Sequence, residues 1–278
     1  MILQVVTVGI SLLRNFVFSK YREDIINKYG MNSWIKLRPE DGEQENVMSQ
    51  AYSGSDVFNA LLEYVINDPY SASAELNSFH NFERINGLKK EEQEIALYST
   101  DTGNGWLCSM VLYEYLRKRG YRLLSEPIKV NKFGWGPDFI DDALSDLMDK
   151  LVRLIVNKKN AGYRIYINAT GGLKPESAFL IISALLSGAD SIYYMHQFYG
   201  DVAILPIIPL SIRQEYLRYL EYFREGLPVE YYKDFLSIPK EVLIDFEQRK
   251  LIEIKDGRIK LKKWVNVLLD IVKNSKMI

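Results

Sequence analysis

The chain has 278 residues, 47% of them hydrophobic and 26% charged, enough for one large core or two modest ones. Its 35 Lys and Arg stand against 36 Asp and Glu, a formal net charge of -1, which excludes holding long nucleic acid by global charge and requires any anionic ligand to be gripped locally. A single cysteine, Cys108, excludes an intrachain disulfide framework and leaves little room for structural zinc.

The apolar start at residues 1–11 lacks the basic flank and small-residue cleavage site of a signal peptide and reads as a buried strand over 3–8. Helical periodicity follows, with Leu12, Leu13, Phe16, Val17, Ile25 and Ile26 on one stripe that ends near Gly30. Residues 39–54 are polar and punctuated by glycine, which predicts a loop or insertion. Helices are expected over 56–66 and 73–85, a strand over 95–99 and a helix over 105–119. The alternation then repeats: strand 126–130, a long amphipathic helix 138–156, strand 164–168 and a helix from 175 to about 186. Pro175 there takes a first-turn position where its missing N–H costs little. Strands at 191–195 and 202–208 close the sheet, as a hairpin around residues 199–201. This alternation predicts an α/β fold with a Rossmann-like, mostly parallel sheet over residues 1–210. After residue 210 the pattern changes to a winged-helix-like domain over 211–278. Its helices are predicted at 211–224, 239–250 and 264–272, with a hairpin around Asp256-Gly257. No segment approaches the roughly 20 consecutive apolar residues of a membrane span, so no membrane partner and a cytoplasmic location are expected.

In an open α/β sheet ligands bind beyond the carboxyl ends of the strands, where helix N-termini expose N–H groups. Three loops qualify: Gly9-Ile10-Ser11, Thr100 to Gly105 with Asp101, Thr102, Gly103 and Asn104, and Asn168 to Lys174 with Thr170, Gly171 and Gly172. Each combines glycine, which lets a phosphate approach the backbone, with an adaptable hydroxyl. The third is neither a Walker A loop nor a dinucleotide fingerprint. Lys174 opens a helix against the macrodipole, at a cost of about 0.3–1 kcal/mol, which fits either a functional cation or a solvated lysine. Ser11 reads equally as an ordinary N-cap. Phe133, in Phe-Gly-Trp-Gly, reads either as a cover or stacking partner for a base or as core.

Val8-Gly-Ile-Ser-Leu-Leu-Arg14-Asn15, Ser73-Ala-Glu-Leu-Asn77, Asp101-Thr-Gly-Asn104 and Asn168-Ala-Thr-Gly-Gly-Leu-Lys-Pro-Glu176 together resemble the CRISPR-associated Rossmann fold family. More narrowly, they resemble its archaeal ring-nuclease branch, which degrades cyclic tetra-adenylate. The resemblance implies a homodimer with cyclic tetra-adenylate on the twofold axis, and it makes Ser11 and Lys174 the residues tied to cleavage. The implied reaction is attack of a ribose 2′-hydroxyl on the adjacent phosphate, giving a 2′,3′-cyclic phosphate and a free 5′-hydroxyl, with no metal and no cofactor. Lys174 and the N–H groups of Gly171 and Gly172 would stabilise the transition-state charge, while Ser11 orients the ribose or phosphate.

Both histidines, His80 and His196, fall outside the three loops and read as structural. Two rival functions stay open: a non-catalytic sensor of the same ligand and a DNA-binding regulator. Residues 229–278 carry 11 Lys or Arg against 8 Asp or Glu, and the expected recognition helix mixes Lys240, Arg249 and Lys250 with Glu241, Asp245 and Glu247. That balance disfavours duplex DNA. Lys255, Arg258, Lys260, Lys262 and Lys263 keep a backbone-contact patch open.

Overall fold

A computed structural model describes residues 1–172, 174–196, 201–208, 210–235 and 238–274, without the side chains of residues 174–176, 233–235 and 274. From β1 (Ile2–Val8) the chain passes through α1 (Ser11–Ser19), α2 (Glu23–Tyr29), α3 (Met31–Trp34), α4 (Glu43–Ser49), α5 (Asp56–Asn67), α6 (Pro69–Ala72) and α7 (Ala74–Asn86). It then forms β2 (Gln93–Ser99), α8 (Gly103–Lys118), β3 (Arg122–Leu123), β4 (Ile128–Lys129), α9 (Ile140–Leu147), a π segment at Met148–Val152 and α10 (Arg153–Asn160). β5 (Arg164–Asn168), α11 (Lys174–Leu186), β6 (Ser191–Met195) and β7 (Val202–Leu205) complete the sheet.

Every residue of β1 is buried, so both its edges must be paired. It runs parallel to β2 on one side and β5 on the other, and the sheet order is β3-β2-β1-β5-β6-β7, with β4 also on β2. Only the β6–β7 pair is antiparallel. This is the expected α/β, mostly parallel architecture. Buried polar groups inside it are satisfied in a chain: Tyr193 donates to Gln4, Gln4 to Gln93, and Gln93 to Glu83. One apolar cluster packs α1 to α8 on one face of the sheet, and a second packs α9 and α11 on the other.

Several predicted elements are corrected. The stripe over 12–30 belongs to two helices, because Lys20 turns left-handed at φ 54° and ends α1. The polar stretch 39–54 contains α4. That helix buries Val47 and Gln44 alone, a stripe too narrow to read as periodicity, and Glu43 and Glu45 suit the positive end of its dipole. The long helix predicted over 138–156 carries the π segment. Ala143, Leu147, Leu151 and Ile155 face the sheet at strict four-residue spacing, which overruns an α-helix of 3.6 residues per turn. The wider π turn absorbs the excess and leaves Met148, Val152 and Val156 as a second stripe.

The remaining chain forms α12 (Gln214–Tyr222), β8 (Leu227–Pro228), α13 (Val229–Phe235), α14 (Lys240–Gln248), β9 (Ile252–Lys255), β10 (Arg258–Leu261) and α15 (Lys263–Asn274). The predicted hairpin is present, with Asp256 and Gly257 both at positive φ, and β8 adds an antiparallel third strand that sequence reading missed. This unit has its own core around Phe223, Phe246, Ile259, Val265 and Leu269. α15 docks on the sheet's outer helices: Leu268 and Ile271 pack on the Met148–Val152–Val156 stripe, and Trp264 meets Phe179 of α11 edge-on at 5.5 Å. The hairpin turn expected around 199–201 falls largely outside the described residues. Among the described residues no helix is long and apolar enough to cross a membrane.

Ile167→Ala, in the fully buried middle of β5, is expected to lower unfolding stability by about 2–5 kcal/mol in urea titrations. Ile204→Ala, at the exposed position of β7, is expected to cost about 1 kcal/mol or less.

Candidate ligand site

Neighbouring strands β2, β1 and β5 deliver the three glycine-containing loops to one rim of the sheet. From β1 the chain winds outward through β2 and later resumes on the other side at β5, so a topological switch point lies between β1 and β5. The loops after these two strands touch. The Thr7 hydroxyl lies 2.8 Å from the Gly171 carbonyl and 3.1 Å from that of Asn168. A methyl group on Gly171 would stand 2.4 Å from the Thr7 carbonyl and 2.6 Å from the Gly9 nitrogen, so only glycine fits. Gly172 follows at φ +102°, a conformation that side chains rarely adopt.

Ser11 is not an N-cap. It holds the first helical position of α1, and Ile10 before it supplies no capping side chain. The Ser11 hydroxyl instead accepts the Ala74 N–H at 3.1 Å and donates to the Glu75 carboxylate. Glu75 is only 2% exposed. It also collects the Gly9 N–H at 3.0 Å and the Ser73 hydroxyl at 2.7 Å, so three donors from two segments converge on one carboxylate. Its place in the first turn of α7 suits a negative charge. Nothing in the sequence singles Glu75 out for this role. A glutamate two residues after an N-cap serine looks like ordinary helix-start chemistry.

The other two loops are held by similar means. Asn168 is fully buried: its Nδ2 donates to the Glu75 carbonyl at 3.0 Å, and its Oδ1 receives Thr170 at 2.6 Å and Ser78 at 3.1 Å. Thr170 in turn accepts the Met195 N–H. Asn104 is also buried, donating to the Trp34 carbonyl at 3.2 Å, while its own N–H reaches Gln44. Gly103 backs onto α4, where a Cβ would strike the Gln44 carbonyl at 1.9 Å. Thr102 caps α8. Asp101 accepts the Lys132 N–H at 3.1 Å, and its carbonyl receives the Trp135 indole at 2.9 Å. Asp101 thus braces the aromatic loop.

Within that loop Phe133 belongs to the core, beneath Gly172, while Trp135 lies nearer the surface with the Lys132 ammonium 3.4 Å from its ring centre. Gly9, Ile10, Thr102, Asn104, Gly134 and Gly172 help line a cleft of about 200 Å³ above the rim. Ser11, Arg14 and Asn15 are not among its lining residues. Arg14 stands over exposed Phe18, and Asn15 bonds the Ser71 and Ala72 carbonyls. Lys174 begins α11 on the same rim, and its side chain lies outside the described residues. His80 is held between Glu83 at 3.0 Å and Tyr115 at 3.1 Å, as a structural histidine would be. The Cys108 thiol is pushed up to about 12 by burial, reinforced by the nearby Glu75 charge.

Residues 70–208, half of the chain, match the model of a family described as CRISPR-associated protein (Cas_APE2256). The chain belongs to this CRISPR-associated family. The matched region carries Ser73-Ala-Glu75, the Asp101–Asn104 loop and the Asn168–Lys174 loop, so two of the three rim loops and the carboxylate that binds the first are family sequence. Ser11 and Gly9 lie before the match and join the site through Glu75.

Gly171→Ala is expected to destabilise the protein by about 1–3 kcal/mol through its clash with the Thr7 carbonyl. Gly42→Ala, where a methyl meets nothing within 4 Å, serves as the neutral control in the same thermal-denaturation series. Cys108 is expected to resist a thiol-titrating reagent at pH 8 in the folded protein and to react fully in denaturant, and rapid labelling of native protein would contradict its placement.

Proposed function

We propose that the chain is a metal-independent ring nuclease of type III CRISPR signalling. As a homodimer it binds cyclic tetra-adenylate on its twofold axis and opens the ring by 2′-hydroxyl transphosphorylation to linear di-adenylate ending in a 2′,3′-cyclic phosphate. The carrying observation is the meeting of the Gly9–Ser11 and Gly171–Gly172 segments at the switch point, with the start of α11 on the same rim. Among the described residues, the N–H groups of Gly171 and Gly172 are donated to nothing, and α1 has no side-chain cap. Such a backbone suits an anion. In this reading the glycine amides and the Lys174 ammonium stabilise the added charge of the phosphorane-like transition state. Ser11 holds the attacking ribose in line. Asn168, Asn104 and Asp101 act by fixing loop shape, and the half-exposed Trp135 is better placed than Phe133 to meet an adenine.

A winged-helix-like reading of residues 211–278 rests on α14 followed by the β9–β10 hairpin. Its surface gives little support to DNA binding. Lys262 pairs with Asp141 at 2.7 Å, Lys263 with Asp142 at 2.5 Å, and Arg249 with Asp245 at 2.7 Å, while Arg258 donates to the Gly226 carbonyl. Cations so engaged are less available to a phosphate. A bracing role for the dimer or the site helices fits this unit better.

Purified protein in excess EDTA is expected to convert cyclic tetra-adenylate to linear di-adenylate cyclic phosphate, followed by chromatography. Lys174→Ala and Ser11→Ala should each slow this at least about 100-fold while remaining folded. An intact ring that nonetheless binds tightly would assign the chain to the sensor class.

A further inference from the structure

Ser11 has one proton to donate, and Glu75 receives it. Of its two acceptor positions, the Ala74 N–H fills one. A half-buried hydroxyl so committed has only an acceptor position left for a ligand. It is therefore unsuited to donating to a phosphate and suited to receiving a proton. The group behind it is a carboxylate held by three donors, with no Lys or Arg paired to it among the described residues. The Cys108 thiol of α8 lies close enough to feel the Glu75 charge, and burial keeps it protonated.

We infer that Glu75 is the terminal proton acceptor of the site, working through Ser11. This rests on the ring-nuclease reading above and assigns what that reading leaves open, the destination of the 2′-hydroxyl proton. As the O2′–P bond forms, the 2′-proton passes to Ser11 Oγ and the Ser11 proton passes to Glu75 Oε2. The P–O5′ bond breaks, and the leaving oxygen takes a proton from water. Glu75 then returns its proton through Ser11 to the hydroxide so formed, and the net reaction is an isomerisation that consumes no proton. Glu75 touches no substrate in this scheme, so it is a positioning and relay residue. Because Gly9 and Ser73 also depend on it, the relay and the shape of the first loop share one side chain.

The test is the pH dependence of single-turnover cleavage of cyclic tetra-adenylate by the full chain, with ring binding measured separately by calorimetry. Wild type should show a rate that rises with pH and then breaks to a plateau, the profile of general-base catalysis. Glu75→Gln should bind the ring within about threefold of wild type, cleave at least about 100-fold more slowly, and lose the break. Ser11→Ala should lose the same break, which keeps the test decisive if the Gln variant fails to fold. The double variant should be no slower than the slower single one, as expected for two members of one relay. An unchanged break in either single variant, or a Gln variant as fast as wild type, overturns the relay while leaving the ring-nuclease reading intact. Wild-type protein that neither binds nor opens the ring overturns both.

Discussion

A buried carboxylate is the constraint on which the rim depends. Placing an ionised group in an interior is costly by several kcal/mol unless its oxygens are satisfied. Glu75 is satisfied by donors from the turn after β1, from the start of α1 and from the segment before α7. Hydrogen bonds to charged groups contribute roughly 1.5–3 kcal/mol each, enough together to offset that cost and to tie the turn after β1 to the start of α7. Removing any donor leaves charge exposed to the interior, which is why the loop after β1 keeps one shape. Asn168 extends the same logic to the third loop by bonding the Glu75 carbonyl.

The rim is also supported from below and behind. Gly171 lets the loop after β5 lie directly on the end of β1, and Phe133 fills the space under Gly172. α9 leads away from the aromatic loop and α11 from the double glycine. α15 and the residue before it rest on both, through Lys262 and Lys263 on Asp141 and Asp142 and through Trp264 on Phe179. The C-terminal unit thus bears on two of the helices that emerge from the site, by ion pairs on one and aromatic packing on the other.

Much of this was legible in the sequence, and the exceptions have physical causes. β1, β2 and β5 are buried strands whose short, mainly apolar runs identify them, and the Asp256-Gly257 turn announces its hairpin because few residues accept positive φ. The rim loops were readable from strand order and glycine placement. α4 was not, since one fully buried side chain in two turns is not a periodicity. The π segment was hidden because a four-residue repeat reads as a continuous helix until its drift is counted. Ser11 and Glu75 were each visible, but their pairing crosses 64 residues and depends on α7 arriving beside α1. Asn168 and Asn104 resemble ligand-reading side chains in sequence, whereas both are buried and donate to the Glu75 and Trp34 carbonyls behind the loops. The cations in and after the hairpin suggested a nucleic-acid surface, whereas Lys262 and Lys263 pair with acids on distant α9 and Arg258 donates to a backbone carbonyl.

The most direct measurement is a crystal structure of the Lys174→Ala variant with intact cyclic tetra-adenylate. It should contain one ring for two chains, a phosphodiester over the Gly171 and Gly172 amides, and a ribose 2′-oxygen within hydrogen-bond reach of Ser11 Oγ while that hydroxyl still donates to Glu75. A ring seated away from this rim, or a Ser11 hydroxyl turned from Glu75 to donate to a phosphate, would contradict the account.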